Sequence, residues 1–315
     1  MTLFDRVFAH PVLRDHPPVL VDVGASGGIP RAWRRLARYS VCLSFEPDAR
    51  EMAPAARHFR RWILCPKLVV ANEKITSADL YLTRSPYCSS MLAPDNTALG
   101  DWAFASLFDV EEKRVVATST LTAALKEYGL TGIDWLKCDT QGTDLRIWQS
   151  VPEPLRHRAL TVEFEPGLID AYHGEDKFSH VIAAMESAPF WLAGLDVQQT
   201  PRAPMPLLAK RLGFRLARYF LKFGPAAPAW VNALYLRRLD HAPALDLRAH
   251  LLLWVFASEL DQPAFACVVA EAAAREFDDD LCRQLANSSA RQMRRALWAT
   301  WPRWPGWMWG KFFGN

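Results

Sequence analysis

From residue 19 onward, short runs of β-branched and apolar residues alternate with stretches of helical period, the order that builds a parallel sheet covered by helices. Residues 19–23, 41–45, 68–71, 133–138, 160–164, 191–197 and 232–237 read as strands. Residues 29–39 open on Pro30 at a first-turn position and predict a helix with Arg31, Arg34, Arg35 and Arg38 on its wet side. Residues 48–58 and 145–149 read as further helices, and 119–128 carries Leu121, Ala124, Leu125 and Tyr128 on one face before Gly129. Polar and apolar positions alternate over 79–83, which predicts the start of a hairpin. Beyond Pro243 the strands stop, and 247–260, 263–277, 281–285 and 290–299 take the helical period. The expected architecture is an α/β domain over 1–240 and an all-α extension over 241–315.

Half of the 315 residues are hydrophobic and 23% are charged, which excludes the disordered and collagenous classes. A net charge of +3 is too small to make the whole chain a nucleic-acid binder, and nothing resembles a nucleic-acid module. The six cysteines form no C-x-x-C pair and have no histidine at finger spacing, so no zinc site is expected. Cys42 and Cys138 fall in apolar strand runs, which suits a reducing cytosol. Asp5, Arg6, His10, Arg14 and Asp15 interrupt residues 1–18, unlike a signal peptide. The longest apolar run, 251–257, falls far short of the roughly 20 residues that cross a bilayer. A cytoplasmic location is the expectation.

The first strand ends in Asp22-Val23-Gly24-Ala25-Ser26-Gly27-Gly28, just before the predicted helix. Glycines there let the backbone pass close to a ligand, and a nucleotide-like cofactor is expected. A dinucleotide fingerprint wants G-x-G-x-x-G, whereas this loop runs G-x-x-G-G behind an acid that would repel pyrophosphate and suits a cationic ligand. Phe45-Glu46-Pro47 then sets a carboxylate at the end of the second strand, where it can accept hydrogen bonds from ribose hydroxyls. This is the logic of S-adenosylmethionine binding; the bland alternative is a glycine turn with solvated acids.

Val21-Asp22-Val23-Gly24-Ala25, Phe45-Glu46-Pro47, Thr120-Leu121 and above all 136–144, Leu-Lys-Cys-Asp-Thr-Gln-Gly-Thr-Asp, resemble the FkbM family of S-adenosylmethionine-dependent methyltransferases. The similarity runs over roughly 17–238 in the family's motif order. It implies a Rossmann-like seven-stranded methyltransferase sheet with its last strand antiparallel, and O-methylation of sugars or polyketide-type products. Asp22, Gly24 and Glu46 carry over as cofactor contacts, and Ser26 and Gly28 in the same loop are further candidates for that role. Asp139 carries over as the acid beside the transferred methyl. Where the family usually has Glu, this chain has Asp144, one methylene shorter.

Methyl transfer needs an oxygen aligned with the sulfonium and a group to take its proton. Asp139, Glu163 and Glu165 fall at the ends of neighbouring strands and are the candidate catalytic acids, Asp139 foremost. Glu163 and Glu165 are equally read as acids that hold arginines or a metal. Ser89 and Ser90, in a serine-rich loop, Gln141 and His173 are candidate substrate contacts, although a Ser/Pro cluster is often only a turn and a lone loop histidine is often structural.

Two segments are basic without a single acid. Residues 202–224 carry Arg202, Lys210, Arg211, Arg215, Arg218 and Lys222 interleaved with leucines and aromatics. Residues 291–315 carry Arg291, Arg294, Arg295, Arg303 and Lys311, with Trp298, Trp301, Trp304 and Trp307 at every third position. Such segments meet a membrane headgroup layer, stack on sugars, or pack on the protein itself. The expectation is a methyltransferase acting on a sugar or glycan hydroxyl, in one form lipid-linked at the inner membrane face. The rival is a non-catalytic glycan- or membrane-binding protein on the same fold, and a nicotinamide-dependent enzyme is the third reading.

Overall fold

A computed structural model of the chain describes residues 2–48, 50 and 56–300. The predicted helix over 48–58 therefore lies mostly, and the tryptophan-rich stretch 301–315 wholly, outside the described residues. The chain divides into two compact units, one running from Pro17 to Pro243, the other formed by the residues before and after it.

The strands of the larger unit are β1 (Val19–Val23), β2 (Val41–Phe45), β3 (Arg61–Cys65), β4 (Leu68–Val69), β5 (Ser77–Thr83), β6 (Val110–Ser119), β7 (Trp135–Cys138), β8 (Thr161–Phe164), β9 (Phe190–Thr200) and β10 (Ala227–Arg237). Seven form one sheet in the order β3-β2-β1-β7-β8-β10-β9, parallel except that β10 runs against both neighbours. That is the Rossmann-like methyltransferase sheet. Its strand order reverses between β1 and β7, the place where open α/β sheets bind ligands. β4, β6 and β5 make a separate small sheet around Leu68, Leu80 and Leu82.

Strand parity sorts the large sheet into two unlike faces. Val21, Val23, Leu43, Phe45, Leu136, Cys138, Val162 and Phe164 are buried in one core with Leu125, Ile147, Trp148 and Val181 from the helices Leu121–Glu127, Asp144–Ser150 and Phe178–Glu186. On the alternate positions a polar row crosses the sheet, with Ser44 beside Asp22, Asp22 beside Lys137 and Lys137 beside Glu163.

Three elements differ from the sequence pattern. The third sheet strand is β3, not 68–71; two arginines before it and Cys65-Pro66 after it masked a sheet edge, and Leu68–Val69 belongs to the small sheet. Residues 29–39 form two short 3-10 turns, Arg31–Trp33 and Ala37–Tyr39, whose three-residue repeat lets Trp33 and Leu36 both reach full burial. β5 pairs antiparallel with β6, the next strand in the chain, as the alternation over 79–83 predicts, with residues 84–109 as an excursion between them. The last two predicted helices are one, Asp280–Thr300.

The smaller unit is helical, and residues 2–16, which the sequence pattern left with the sheet, belong to it. In the helix Leu247–Glu259, every residue from His250 to Ala257 is buried, so the apolar run is a core helix. Trp254 donates to the Ser289 hydroxyl at 2.8 Å, and Arg248 donates to the carbonyl of His16 at 3.0 Å. No helix among the described residues is long and apolar enough to cross a membrane.

Candidate active site

β1 runs into a turn that only glycine permits. Gly24 has φ +82°, and a Cβ there would stand 1.9 Å from the carbonyl oxygen of Asp139. The N–H groups of Gly24 and Ala25 both donate to the carbonyl of Phe45 at 3.1 Å, while Asp139 N–H donates to Val23 at 2.9 Å. The ends of β1, β2 and β7 are thereby drawn to one point.

Glu46, one residue beyond β2, is buried with both carboxylate oxygens aimed by donors, the Ser26 hydroxyl and the Asp48 N–H, each at 2.8 Å. Burial pushes its carboxyl up, and those hydrogen bonds pull it back. Gly24, Ser26, Glu46, Asp139 and Gln141 line a cleft with about 650 Å³ of empty space, part of it open to solvent, whose other wall is the apolar Leu68, Leu80 and Met91. The mixed polar and apolar lining suits a small organic ligand.

A second cleft, about 1020 Å³ on the same measure, is lined by Phe104, Phe108, Tyr172 and Trp230, with Glu165 and Glu175 in its wall. Phe104 meets Trp230 edge-on at 6.0 Å, and Phe108 lies 5.5 Å from Tyr172. Glu175 is occupied by the N–H groups of Ala171 and Tyr172 and by Lys177. Tyr87 and Gln141 line both clefts. Gln141 sits at φ +57° and donates to Asp139 at 2.7 Å, and the Tyr172 hydroxyl lies 3.1 Å from its carbonyl oxygen.

Carboxylates outnumber cations at this junction. Lys137 reaches Asp139 at 3.5 Å and Asp22 at 3.8 Å, and Glu163 and Glu165 add to the field that holds its ammonium charged despite burial. Burial, and then the charge of Asp139, push the Glu165 carboxyl far above the ordinary range. Burial likewise raises Asp22 to about 7 and Asp144 to about 6. Asp144 accepts from the N–H of Thr140 at 2.8 Å and of Glu165 at 2.9 Å, so it fastens the loop after β7 to the end of β8.

The family model for the methyltransferase FkbM domain matches residues 22–191. The chain belongs to the FkbM methyltransferase family. None of the curated proteins matches the chain. The FkbM match takes in both glycine turn and carboxylate junction and stops just inside β9, so β10, the segment between those strands and the helical extension lie beyond it.

Within this FkbM fold the expected site residues are sorted as follows. Gly24, Ser26, Glu46, Asp139, Ser89, Ser90 and Gln141 line the first cleft, and Gln141 and Glu165 line the second. Asp22 and Gly28 lie on the other side of the glycine turn, around a small cavity with Ala25 and Trp62, apart from Glu46. Glu163 occupies the polar row beside Lys137 and lines neither cleft. The Ser90 hydroxyl is spent on the carbonyl of Gln141 at 2.8 Å, and Ser89 accepts from Arg50 at 3.1 Å. His173 is largely exposed beside Asp95, 3.5 Å away, and also lines neither cleft. Among the described residues no group of His, Cys, Asp and Glu is arranged to hold a metal ion.

Sequence reasoning passed over Lys137 and, in the aromatic wall, Phe104, Phe108 and Trp230. For Lys137 a signal existed: Val-Asp-Val, Leu-Lys-Cys and Val-Glu-Phe each put one charge at the penultimate position of a buried strand. Charges at equal positions in neighbouring parallel strands must meet. The aromatic wall had no such signal, since Phe104, Tyr172 and Trp230 come from three distant segments.

Proposed function

We propose that this FkbM-family protein is an S-adenosylmethionine-dependent O-methyltransferase whose acceptor is a sugar or glycan hydroxyl. One observation carries the reading: the cleft that holds Glu46 and an aromatic cleft meet at Tyr87 and Gln141, with Asp139 on one side and Glu165 on the other. The donor set fits the cofactor. Glu46 presents two oxygens, already oriented by Ser26 and Asp48, to vicinal hydroxyls. Gly24 leaves bare backbone where a Cβ would fill the turn. The apolar Leu68, Leu80 and Met91 suit a base. Asp22 lines the small cavity with Ala25 and Gly28 rather than the cleft that holds Glu46.

When bound, the cofactor supplies an electrophilic methyl group on a sulfonium. The chain supplies position and proton transfer. Aromatic rings offer faces to the C–H side of a sugar, and carboxylates hold its hydroxyls. Glu165 keeps its proton to higher pH than an ordinary carboxyl, which leaves Asp139 as the base toward the acceptor hydroxyl and Glu165 as a donor to a neighbouring oxygen. Gln141 fixes the Asp139 carboxylate through its amide.

Calorimetric titration with S-adenosylhomocysteine tests the cofactor half: binding is expected, and weakened binding in Glu46→Gln. No binding overturns the reading. Mass spectrometry of glycans from cells with and without the gene tests the acceptor half, through a methyl group lost with the gene.

A further inference from the structure

Between β9 and β10 the chain inserts two helices, Met205–Leu212 and Phe214–Phe223, hinged at Gly213 with φ +77°. They lie beyond the family match. The second helix buries Ala217 but leaves Phe214 64%, Leu216 61%, Tyr219 63% and Phe223 62% exposed. On a helical period Leu216, Tyr219 and Phe223 share one strip, and Arg215, Arg218 and Lys222 share the strip beside it. Leu207 and Leu212 of the first helix are exposed as well, next to Lys210 and Arg211. No acid occurs from 202 to 224, and among the described residues no carboxylate pairs with Lys210, Arg211, Arg215, Arg218 or Lys222. An apolar strip of this size on a lone chain in water is a liability unless something covers it.

The geometry points to an anionic lipid bilayer as that cover. Aromatic and leucine side chains enter the headgroup boundary while a flanking row of cations without carboxylate partners meets lipid phosphates, which is how interfacial helices bind. A second copy of this face would bring the same five cations against one another and gains no such complement. The placement adds a consequence, which rests on the proposed reading of the second cleft. Gln199 and Thr200 before the insert, and Ala229 and Trp230 after it, line that cleft, so docking sets its rim at the membrane surface, within reach of a lipid-linked acceptor.

The test is co-sedimentation of the full chain with vesicles of phosphatidylcholine alone and of phosphatidylcholine mixed with phosphatidylglycerol. Binding is expected to the mixed vesicles, not the neutral ones, and is released by salt. Two triple variants, Leu216→Ser with Tyr219→Ser and Phe223→Ser, and Arg215→Gln with Arg218→Gln and Lys222→Gln, change exposed positions and should keep the parent melting temperature. The cation triple should lose partitioning on the order of a hundredfold, and the apolar triple at least roughly tenfold. Absent binding, equal binding to neutral vesicles, full retention by either folded triple, or a dimer in light scattering that the apolar triple dissolves would each overturn the proposal. Calorimetry with S-adenosylhomocysteine separates the two readings: vesicle binding without nucleoside binding removes the methyl-transfer reading and keeps docking, and the reverse outcome removes docking alone.

Discussion

Gly24→Ala isolates the contact on which the cleft depends. An added Cβ would meet the Asp139 carbonyl oxygen at 1.9 Å, and real Cβ atoms essentially never come closer than 3.0 Å, so the ends of β1 and β7 must part by at least 1.1 Å, the difference of the two. A displacement of that size breaks the 2.9 Å hydrogen bond from Asp139 to Val23 or the 3.1 Å bonds to Phe45, at about 1–3 kcal/mol for each buried group left unpaired. The left-handed φ adds about 1–2 kcal/mol for any residue with a Cβ. The sum is about 4 kcal/mol, or roughly 10 °C in the melting temperature of a unit this size. Gly129→Ala is the internal control, because Gly129 has φ +69° with nothing within 4 Å and should lose only the conformational part. Scanning calorimetry of both variants, with and without S-adenosylhomocysteine to mark the transition of the sheet unit, reads the difference. If Gly24→Ala melts no lower than Gly129→Ala, or binds the nucleoside like the parent, the close approach of the two strand ends is not what shapes the cleft.

Other outcomes follow from the same geometry. Glu46→Gln should weaken nucleoside affinity at least roughly tenfold in calorimetry, since a charge-assisted hydrogen bond contributes about 1.5–3 kcal/mol, while the melting temperature stays near that of the parent. Asp139→Asn should lower kcat on the order of a hundredfold or more in a methyl-transfer assay, and should also bring the Glu165 carboxyl down toward the ordinary range, readable by carboxyl NMR. Asp22 binds its proton more tightly folded than unfolded, so it costs stability as pH rises from about 4 through about 7, and Asp144 acts in the same direction up to about 6. Denaturant midpoints should therefore fall between pH 5 and pH 8, and Asp22→Asn should narrow that gap; an unchanged or wider gap would refute the burial argument.

Most of the sheet was legible because buried parallel strands are continuous apolar runs, and β1, β2, β7 and β8 stand out against their surroundings. β3 was not, because an edge strand needs only one buried face and here opens on an arginine. The glycine turn and Glu46 were legible as well, since both follow directly from where a strand ends. The separation of Asp22 from Glu46 was not. It depends on parity: Asp22 alternates with Val21 and Val23 and so faces away from the core they enter, whereas Glu46 lies past the last residue of β2 and is free to turn into the cleft. The aromatic cleft and the exposed strip on 214–223 are facts of packing, visible only when distant segments are brought together or left uncovered.

The cluster around Lys137 fixes what kind of ligand the site can accept. Four acids, Asp22, Asp139, Glu163 and Glu165, stand about one ammonium group, and in Asp22, Glu163 and Glu165 burial raises the carboxyl because leaving an uncompensated charge out of water is costly. Apolar residues of similar size would make a more stable sheet, so the arrangement is not explained by folding. It is explained by a ligand that brings positive charge to the junction and relieves the repulsion among these acids on arrival. In the proposed reading a sulfonium nucleoside does so, with the two oxygens of Glu46 placed for its ribose. A dinucleotide would bring pyrophosphate to the glycine turn instead, adding negative charge where the chain already carries an excess and where Ser26 and Ile29 stand at the second and third glycine positions of the dinucleotide fingerprint. The sign of the charge at the strand ends thus separates the two cofactor classes more sharply than the fold, which both of them use.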